Sequence, residues 1–302
     1  MVGRLVVVVL VAAVGCKQPG TPVEATATPA TVAAPATAAS PASEASGRAS
    51  VLPEPAAEQT GHRELSGREP PADAKLVEYA ADRRGFLYVP DGAGPFPVMV
   101  WNHGSERVPG WQSELAHFYV QHGWAFLLPH RRGHGRSPGM YIGDERDDAK
   151  VIAMQDEHND DVVAAIEWVK HQPRIDAARV AVSGCSYGGI QTMITAARPV
   201  GIRAAVPFAA GAMRWQHSPA LQRRLIRAAS EARVPELLIQ AENDYDLSPS
   251  KIAGAELERT GHGRAKIYPP FGTGAQAGHG FCVRGFDIWG PDVLAFLAKA
   301  TR

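Results

Sequence analysis

Short apolar segments alternate with helix-like segments along most of the chain, and this alternation restricts the fold more than any other feature. The apolar segments are residues 85–89, 98–102, 124–129, 180–184, 204–208, 237–241 and 266–268. Helix-like spacing covers residues 160–170, 190–197, 219–232, 250–260 and 292–299. Such alternation predicts an α/β fold with a mainly parallel central sheet and helices on both faces. In sheets of this type ligands bind beyond the carboxyl ends of the strands, so we expect functional residues directly after the apolar segments.

The first residues are typical of an export signal. A basic start at residues 1–4 precedes an apolar run at residues 5–14, which is too short to span a bilayer as a mature helix. Residues 13–16 resemble a bacterial lipobox, which implies cleavage before Cys16 and acylation of its thiol. The alternative is an ordinary secretory signal with an incidental cysteine. With lipid on Cys16, we expect an exported protein anchored to a bacterial membrane, on the periplasmic or cell-surface side.

Composition divides the chain into three regions. We predict a lipoprotein signal peptide at residues 1–15, a disordered tether rich in Ala, Pro and Thr at residues 16–70, and one folded domain at residues 71–302. The 31 basic and 31 acidic residues balance, so no field of one sign favours a nucleic-acid partner. Three cysteines without a CxxC pair favour neither a disulfide-built scaffold nor a zinc site.

A G-x-S-x-G motif directly follows the apolar segment at residues 180–184. Gly184, Ser186 and Gly188 form it, and a helix-like stretch comes next. Nucleophilic catalysis by serine requires a sharp strand-to-helix turn that exposes the hydroxyl, and glycines on both sides leave room for that turn. Amide groups at the start of the helix also favour negative charge. The motif therefore predicts that Ser186 is a catalytic nucleophile.

A serine nucleophile needs a base and an acid that orients the base. Asp244 and Asp246 both follow the segment at residues 237–241, so either is a candidate for the acid. His279 lies in a glycine-flanked segment, predicted to be a loop, after the last apolar segment, and it is our candidate for the base. His262 has similar neighbours but precedes that last segment, which favours a surface turn instead.

Together these motifs resemble a known family. Residues 102–104, 132–137, 184–189, 243–244 and 278–281 are similar to motifs of dienelactone hydrolase-like and serine esterase-type α/β-hydrolases. The resemblance covers about residues 74–302 and implies an α/β-hydrolase domain. Serine chemistry of this kind needs no cofactor. In dienelactone hydrolases proper a cysteine stands at the centre of the motif, where this chain has Ser186, so dienelactones are not the expected substrate.

The resemblance also implies roles for further residues. In relatives the acid lies three residues beyond the end of its strand, which favours Asp244 over Asp246. One oxyanion-hole amide comes from the residue after the nucleophile, here Tyr187, and another from the early loop, at Gly104 or Ser105. A histidine at the position of His103 more often shapes that loop than acts as a base.

Other polar clusters favour structural roles. The loop at residues 130–137 carries three arginines and two histidines. It could bind an acidic or polar part of the substrate, but we favour a stabilising turn whose arginines pair with carboxylates such as Asp160 or Asp161. The same two aspartates could suggest metal ligands, yet an N-cap of the following helix explains them more simply. We predict no metal site.

Two cysteines lie near the predicted catalytic residues. Cys185 directly precedes Ser186, and Cys282 lies three residues after His279. If the protein is exported, this pair could be oxidised and would then connect the serine turn to the histidine segment. Two buried, reduced thiols are the alternative.

The sequence thus predicts a serine hydrolase that cleaves carboxylic esters or related acyl bonds. The expected substrate is a small-molecule ester or a short peptide. The other expected partner is a membrane, to which the lipid on Cys16 attaches the protein. A prolyl oligopeptidase-like peptidase is an open alternative within the same chemistry. A tethered binding protein that keeps the fold without catalysis is the alternative outside it.

Overall fold

A computed structural model of the chain describes residues 69–302, and its centre is one eight-stranded sheet. The strands in chain order are β1 (Lys75–Ala80), β2 (Arg83–Tyr88), β3 (Phe96–Asn102), β4 (Ala125–Pro129), β5 (Ile175–Cys185), β6 (Ala204–Phe208), β7 (Glu236–Ala241) and β8 (Gly263–Tyr268). Their order across the sheet is β1-β2-β4-β3-β5-β6-β7-β8. β2 pairs antiparallel with both β1 and β4, and all other pairs are parallel.

Eight α-helices surround the sheet in the part of the chain that the structure describes. They are α1 (Ser113–Gln121), α2 (Asp148–Lys170), α3 (Tyr187–Ala196), α4 (Pro219–Ser230), α5 (Ser248–Thr260), α6 (Gly274–His279), α7 (Phe281–Arg284) and α8 (Phe286–Ala300). Two of them begin at side-chain caps. The carboxylate of Asp147 accepts from the amide of Lys150 at the start of α2, and the Ser218 hydroxyl accepts from the amide of Leu221 in α4.

The core lies on both faces of the sheet. On one face, α1 and α8 pack against the strands through a cluster of buried aromatic residues that includes Phe118, Phe126 and Trp289. On the other face, α2 packs through Val162 and Ile166, and α3, α4 and α5 contribute a second apolar group. Because apolar side chains cover both faces, the central strands are apolar along their whole length, as expected for a parallel sheet.

The predicted fold class is confirmed, but several boundaries differ. The sequence pattern does not predict β1 or α1, in which exposed and buried residues are mixed. Helix α2 begins twelve residues before the predicted start at residue 160, so the prediction that Asp160 and Asp161 cap a helix is wrong. Both lie inside α2, and Asp147 is its cap. The polar residues in the first half of α2 concealed its helical period.

The strand register brings two loops together at the carboxyl edge of the sheet. Asn102, the last residue of β3, is paired with Gly184 in β5, and Cys185 is paired with Phe208 in β6. The loop that follows β3 and the turn that follows β5 are therefore neighbours. This is the edge where the sequence places the candidate site.

The N-terminal predictions concern residues that lie outside this description. These are the signal peptide at residues 1–15, the lipidation of Cys16, and all but the last two residues of the tether at residues 16–70. Across residues 69–302, none of the helices combines the length and apolar character that a membrane crossing requires.

Candidate active site

Ser186 lies in the tight turn between β5 and α3, with a φ of 57° and a ψ of −115°. A positive φ is unfavourable for a residue with a side chain, so the surrounding structure must hold it in place. The Ser186 amide donates to the carbonyl oxygen of Phe208 at 2.9 Å, and the Ile190 amide donates to the carbonyl oxygen of Ser186 at 3.1 Å. The side chain is half-buried. The turn thus keeps the hydroxyl accessible from the carboxyl edge of the sheet.

Glycines on both sides of Ser186 permit a close approach of backbones. A Cβ atom on Gly188 would lie 1.9 Å from the carbonyl oxygen of Asn102 and 2.5 Å from that of His103. A Cβ atom on Gly184 would lie 2.5 Å from the same Asn102 oxygen. No larger residue fits at either position without movement of the backbone. The motif glycines therefore bring α3 directly against the loop that follows β3.

His279 forms a hydrogen bond with Asp244. The distance between His279 Nδ1 and Asp244 Oδ1 is 2.8 Å, and both side chains are buried. The carboxylate is itself held in place, since Oδ2 accepts from Gln240 Nε2 at 2.8 Å and Oδ1 accepts from the amide of Tyr245 at 2.7 Å. Across residues 69–302, the buried Nε2 atom of His279 has no hydrogen-bond partner. The pair thus presents one free imidazole nitrogen.

The structure separates the two competing residues from this pair. The carboxylate of Asp246 accepts from Gln216 Nε2 at 2.7 Å and from the amide of Ser248 at 2.8 Å, and not from His279. His262 precedes β8, and its carbonyl oxygen accepts from the amide of Glu236 at the start of β7. Because β7 and β8 are parallel, His262 lies at the amino edge of the sheet, opposite the site.

His279 is the last residue of the short helix α6, whereas we predicted a loop there. The preceding Gly278 shows why glycine is needed, because a Cβ atom at this position would lie 2.6 Å from the carbonyl carbon of Asn243. Helix α6 therefore packs directly against the loop that carries Asp244. This contact aligns the imidazole with the carboxylate.

Cys185 and Cys282 form a disulfide, and this bond connects the serine turn with the histidine segment. The Sγ atom of Cys185 also lies 3.8 Å from the carbonyl oxygen of His279. Cys185 directly precedes Ser186, so the contact places the histidine beside the turn. Residues 94 positions apart in the chain are thereby held next to each other.

The three predicted oxyanion donors lie around the same turn. Tyr187 is the first residue of α3, and its amide therefore lies at the amino end of that helix. Gly104 and Ser105 lie in the loop that follows β3, and a Cβ atom on Gly104 would lie 3.7 Å from the carbonyl oxygen of Cys185. The early loop and the serine turn are thus in contact, as an oxyanion hole requires.

Glu106 is a site residue that the sequence analysis missed. Its Oε1 atom accepts a hydrogen bond from the Gly104 amide at 3.1 Å, so a carboxyl group already occupies one predicted oxyanion donor. Burial raises the pKa of Glu106, and its own amide and Arg131 act in the opposite direction. The signal in the sequence is an acidic residue two positions after the predicted donor.

Four histidines lie behind the early loop. His103, His130 and His134 are fully buried and His158 lies beside them, with ring centroids of His103 and His134 only 4.8 Å apart. Burial lowers the pKa of His130 to about 4 and that of His158 to about 3, and it lowers the pKa of His103 as well. These rings are neutral at pH 7. In residues 69–302, no three His, Cys, Asp or Glu side chains are arranged to hold a metal ion.

His103 has the loop-shaping position that the resemblance implied. Its Nε2 atom accepts from the amide of Arg131 at 3.3 Å. Its Nδ1 atom lies 2.9 Å from the carbonyl oxygen of Gly104 and 2.9 Å from Nη2 of Arg131. The ring therefore connects the loop after β3 to the loop after β4, and these contacts occupy both of its nitrogens.

Two neighbouring arginines differ in their partners. Arg132 forms ion pairs with Asp161 and Glu157, as the structural interpretation of the loop predicts. Burial would raise the pKa of Asp161, but the hydrogen bonds from Arg132 outweigh burial and hold that pKa below its ordinary value. Arg131, in contrast, is fully buried and donates to backbone oxygens. Sequence reasoning did not separate the two arginines, because burial depends on tertiary packing.

A family comparison covers most of the sheet. A family model described as X-Pro dipeptidyl-peptidase (S15 family) matches residues 85–265, about three-fifths of the chain. The matched segment contains Ser186 and Asp244 and ends before His279. A comparison with curated protein sequences gave no match.

Solved structures share the fold at low sequence identity. An esterase from Pyrococcus furiosus aligns with a TM-score of 0.57 at 16% identity, covering 79% of this chain and 97% of the esterase. Dipeptidyl peptidase 4 from Porphyromonas gingivalis aligns with a TM-score of 0.57 at 18% identity, covering 77% of this chain and 36% of the peptidase. An esterase from Thermogutta terrifontis aligns with a TM-score of 0.52 at 16% identity, covering 76% of this chain and 93% of the esterase.

The site and the family comparison lead to one conclusion. A strained serine in a glycine-flanked turn and a histidine paired with a carboxylate lie within the fold of the α/β-hydrolases. The family match covers more than half of the chain. The chain is therefore a hydrolase of the serine α/β-hydrolase type and belongs to the X-Pro dipeptidyl-peptidase (S15) family.

Proposed function

We propose that the chain hydrolyses carboxylic esters or related acyl bonds through an acyl-enzyme on Ser186. The observation that carries this proposal is the 2.8 Å hydrogen bond between His279 Nδ1 and Asp244 Oδ1, beside the turn that holds Ser186. A histidine paired in this way keeps its second nitrogen free to accept a proton. The proposed catalytic residues are Ser186, His279 and Asp244.

The geometry supports a two-step reaction. With Nδ1 directed at Asp244, Nε2 is the nitrogen of His279 that would take the proton of the Ser186 hydroxyl as Oγ attacks the carbonyl carbon. The negative charge then develops on the carbonyl oxygen, where the amides of Tyr187 and of Gly104 or Ser105 would donate to it. His279 returns the proton to the leaving group. Water, activated by the same nitrogen, releases the acid and restores Ser186.

A peptidase that cleaves short peptides is the second candidate. The S15 family match favours it, because that family is described by a dipeptidyl-peptidase activity. The same three side chains serve both reactions, since an acyl-enzyme forms whether the leaving group is an alcohol or an amine. A binding protein without catalysis is less favoured, because such a protein has no need for a strained serine beside a paired histidine.

The first experiment labels the full chain with a fluorophosphonate probe and identifies the modified residue by peptide mapping. We expect one label per chain, on Ser186, and none in Ser186→Ala. Turnover by Ser186→Ala, His279→Ala or Asp244→Ala should fall by about four to six orders of magnitude, because the three side chains act as a unit. A folded chain that does not react with the probe would favour the binding-protein alternative.

A second experiment distinguishes the two substrate classes. The rates for p-nitrophenyl acetate and for Ala-Pro-p-nitroanilide are compared at equal enzyme concentration, with Ser186→Ala as the blank. For each substrate, kcat/KM is divided by the rate of its uncatalysed hydrolysis. A higher ratio for the ester supports the acyl hydrolase, and a higher ratio for the anilide supports the peptidase.

We further propose that the protein is exported and lipid-anchored through Cys16. The lipobox-like sequence supports this proposal, and a disulfide between Cys185 and Cys282 is a bond that oxidising compartments favour. Cells fed an alkyne-tagged fatty acid should label the wild-type chain but not Cys16→Ala. Equal labelling of the two chains would exclude the anchor.

A further inference from the structure

A buried arginine lies directly behind the predicted oxyanion loop. Arg131 follows β4, whose carboxyl end neighbours that of β3, and its side chain has no exposed surface. One nitrogen, Nη2, donates to the carbonyl oxygen of His103 at 2.7 Å and to that of Gly104 at 2.7 Å, and it lies 2.9 Å from Nδ1 of His103. Among the described residues no carboxylate lies within ion-pair distance of this guanidinium, and its Nε and Nη1 atoms have no hydrogen-bond partner.

A buried cation without a carboxylate partner is costly to the fold, so its position calls for an explanation. Arginine keeps its charge even when it is buried. Apolar packing alone could be achieved by an uncharged side chain of the same volume, often with a gain in stability. Arg131 instead directs its charge at two backbone carbonyl oxygens in the loop of the candidate oxyanion donors.

The two accepting oxygens belong to the two peptide groups that carry the candidate oxyanion donors. The carbonyl of His103 shares its peptide group with the Gly104 amide, and the carbonyl of Gly104 shares its group with the Ser105 amide. A cation at the oxygen end of a peptide group polarises its N–H and makes it a stronger donor. Either candidate donor is thus strengthened by the same guanidinium.

Two further contacts support this arrangement. The guanidinium carbon of Arg131 lies 5.2 Å from the ring centroid of Tyr187, the residue whose amide is the other oxyanion donor. The Gly104 amide already donates to a carboxyl oxygen of Glu106 at 3.1 Å, so the amide that Arg131 polarises faces an oxygen acceptor in the structure.

We infer that Arg131 is a positioning residue that orients and polarises the oxyanion loop from behind and so stabilises the transition state without contact with the substrate. The inference rests on the proposed acyl hydrolysis at Ser186. Its electrostatic effect acts on the developing oxyanion, which is absent from the bound substrate. The rate of acylation should therefore depend on Arg131 far more than substrate binding does.

The test compares full-length Arg131→Met, Arg131→Lys and Arg136→Met with the wild type. Arg136 is an exposed arginine in the same loop, so its replacement controls for the loss of one positive charge. The readouts are the second-order rate of fluorophosphonate labelling, kcat and KM for p-nitrophenyl acetate, and inhibition by a trifluoromethyl ketone, which forms an oxyanion on Ser186. The matching alcohol, which cannot form it, serves as the inhibitor control. Thermal melting confirms that each variant is folded.

For Arg131→Met we expect the labelling rate, kcat and ketone affinity to fall by about 10- to 100-fold, since loss of a direct donor costs about 10²–10³. KM and alcohol affinity should stay within about twofold. Arg131→Lys should recover part of the loss, and Arg136→Met should resemble the wild type. Arg131→Lys also tests the inference if the methionine variant does not fold.

Three results would overturn the inference. The first is a folded Arg131→Met with wild-type labelling and ketone affinity. The second is an Arg131→Lys variant whose labelling rate and ketone affinity are no higher than those of Arg131→Met. If Arg131→Met does not fold, the corresponding result is an Arg131→Lys variant equal to the wild type in both. The third is an equal loss in Arg136→Met. If the wild type itself is not labelled at Ser186, the proposed function fails and this inference with it, so the two failures are distinguishable.

Discussion

The acidic residues Glu106 and Glu236 illustrate how surroundings decide the chemistry of a carboxyl group. Glu106 contacts the Gly104 amide in the candidate site. Glu236, at the start of β7, is buried, and neither of its carboxyl oxygens has a hydrogen-bond partner within residues 69–302. Burial raises the pKa of both groups. The first therefore bears on activity and the second on stability.

Replacement of Glu106 should expose the competition for the Gly104 amide. A substrate carbonyl oxygen can take this donor only after the Glu106 carboxyl group leaves it. We therefore expect Glu106→Ala to raise the fluorophosphonate labelling rate by about two- to tenfold, as removal of a competing internal contact shifts the population toward the open site. Glu106→Gln, which keeps an oxygen acceptor, should change the rate less. A lower rate in Glu106→Ala would mean that this carboxyl group assists the reaction.

The stability of the protein should depend on pH through Glu236. Because burial raises the pKa of Glu236, the folded protein holds this proton to a higher pH than the unfolded chain does. Its contribution is therefore fully present below the ordinary carboxyl pKa and is lost as pH rises toward the raised value. We expect Glu236→Gln to raise Tm relative to the wild type at pH 8 but not at pH 4.

Glu242 provides the matched control for this pH dependence. It lies just after the other end of the same strand and is exposed. Glu242→Gln should leave the difference in Tm between pH 4 and pH 8 as it is in the wild type. A Glu236→Gln variant with the same pH dependence as the wild type would contradict the role of burial.

At the scale of elements, the contact between α3 and the loop after β3 depends on the absence of side chains. The carbonyl oxygen of Asn102 lies where a Cβ atom of Gly188 would be. The Asn102 side chain adds to this contact by donating to the Thr192 hydroxyl at 3.1 Å. The serine turn and the loop after β3 are therefore packed against each other as one unit.

Substitution of Gly188 should disrupt this unit. We expect Gly188→Ala to lower the free energy of unfolding by about 2 kcal/mol or more, because the added methyl group overlaps a backbone oxygen. Fluorophosphonate labelling at Ser186 should also be lost. Gly123→Ala is the control, since Gly123 has a φ of 76° but open space around it, and its cost of about 1–2 kcal/mol should leave labelling intact. Equal labelling in the two variants would contradict the steric argument.

At the scale of the whole molecule, the disulfide between Cys185 and Cys282 closes a loop of the chain that contains three strands of the sheet, β6, β7 and β8. The two cysteines are 97 residues apart. The bond joins the end of β5 to α7, the short helix that follows His279. It therefore holds the serine turn close to the histidine. It contributes both to stability and to the geometry of the site.

Loss of this bond should reduce both properties. We expect the Cys185→Ser/Cys282→Ser double variant to lose about 2–5 kcal/mol of unfolding free energy, because the unfolded chain gains the entropy of an open loop. Labelling of Ser186 should slow as well. The measurement is chemical denaturation and labelling with and without a reducing agent. The reductant should affect the wild type and leave the double variant unchanged, and an equal response of both would contradict the role of this bond.

Local patterns in the sequence determined much of this protein. The alternation of apolar and helix-like segments predicted the parallel sheet with helices on both faces, because burial on both faces requires apolar residues along the whole length of each central strand. The glycines around Ser186 predicted the strand-to-helix turn, because two backbone segments can approach this closely only where a side chain is absent. Mixed polarity concealed β1, α1 and the first half of α2.

Only the tertiary structure decided which residues meet. It paired His279 with Asp244 instead of Asp246, joined Cys185 to Cys282, and placed Glu106 on the Gly104 amide. It also buried Arg131 while leaving its neighbour Arg132 in an ion pair with Asp161. These contacts depend on the order and register of the strands, which bring distant segments to one edge of the sheet. A local pattern contains no information about that order, because many sheet topologies bury the same apolar segments equally well.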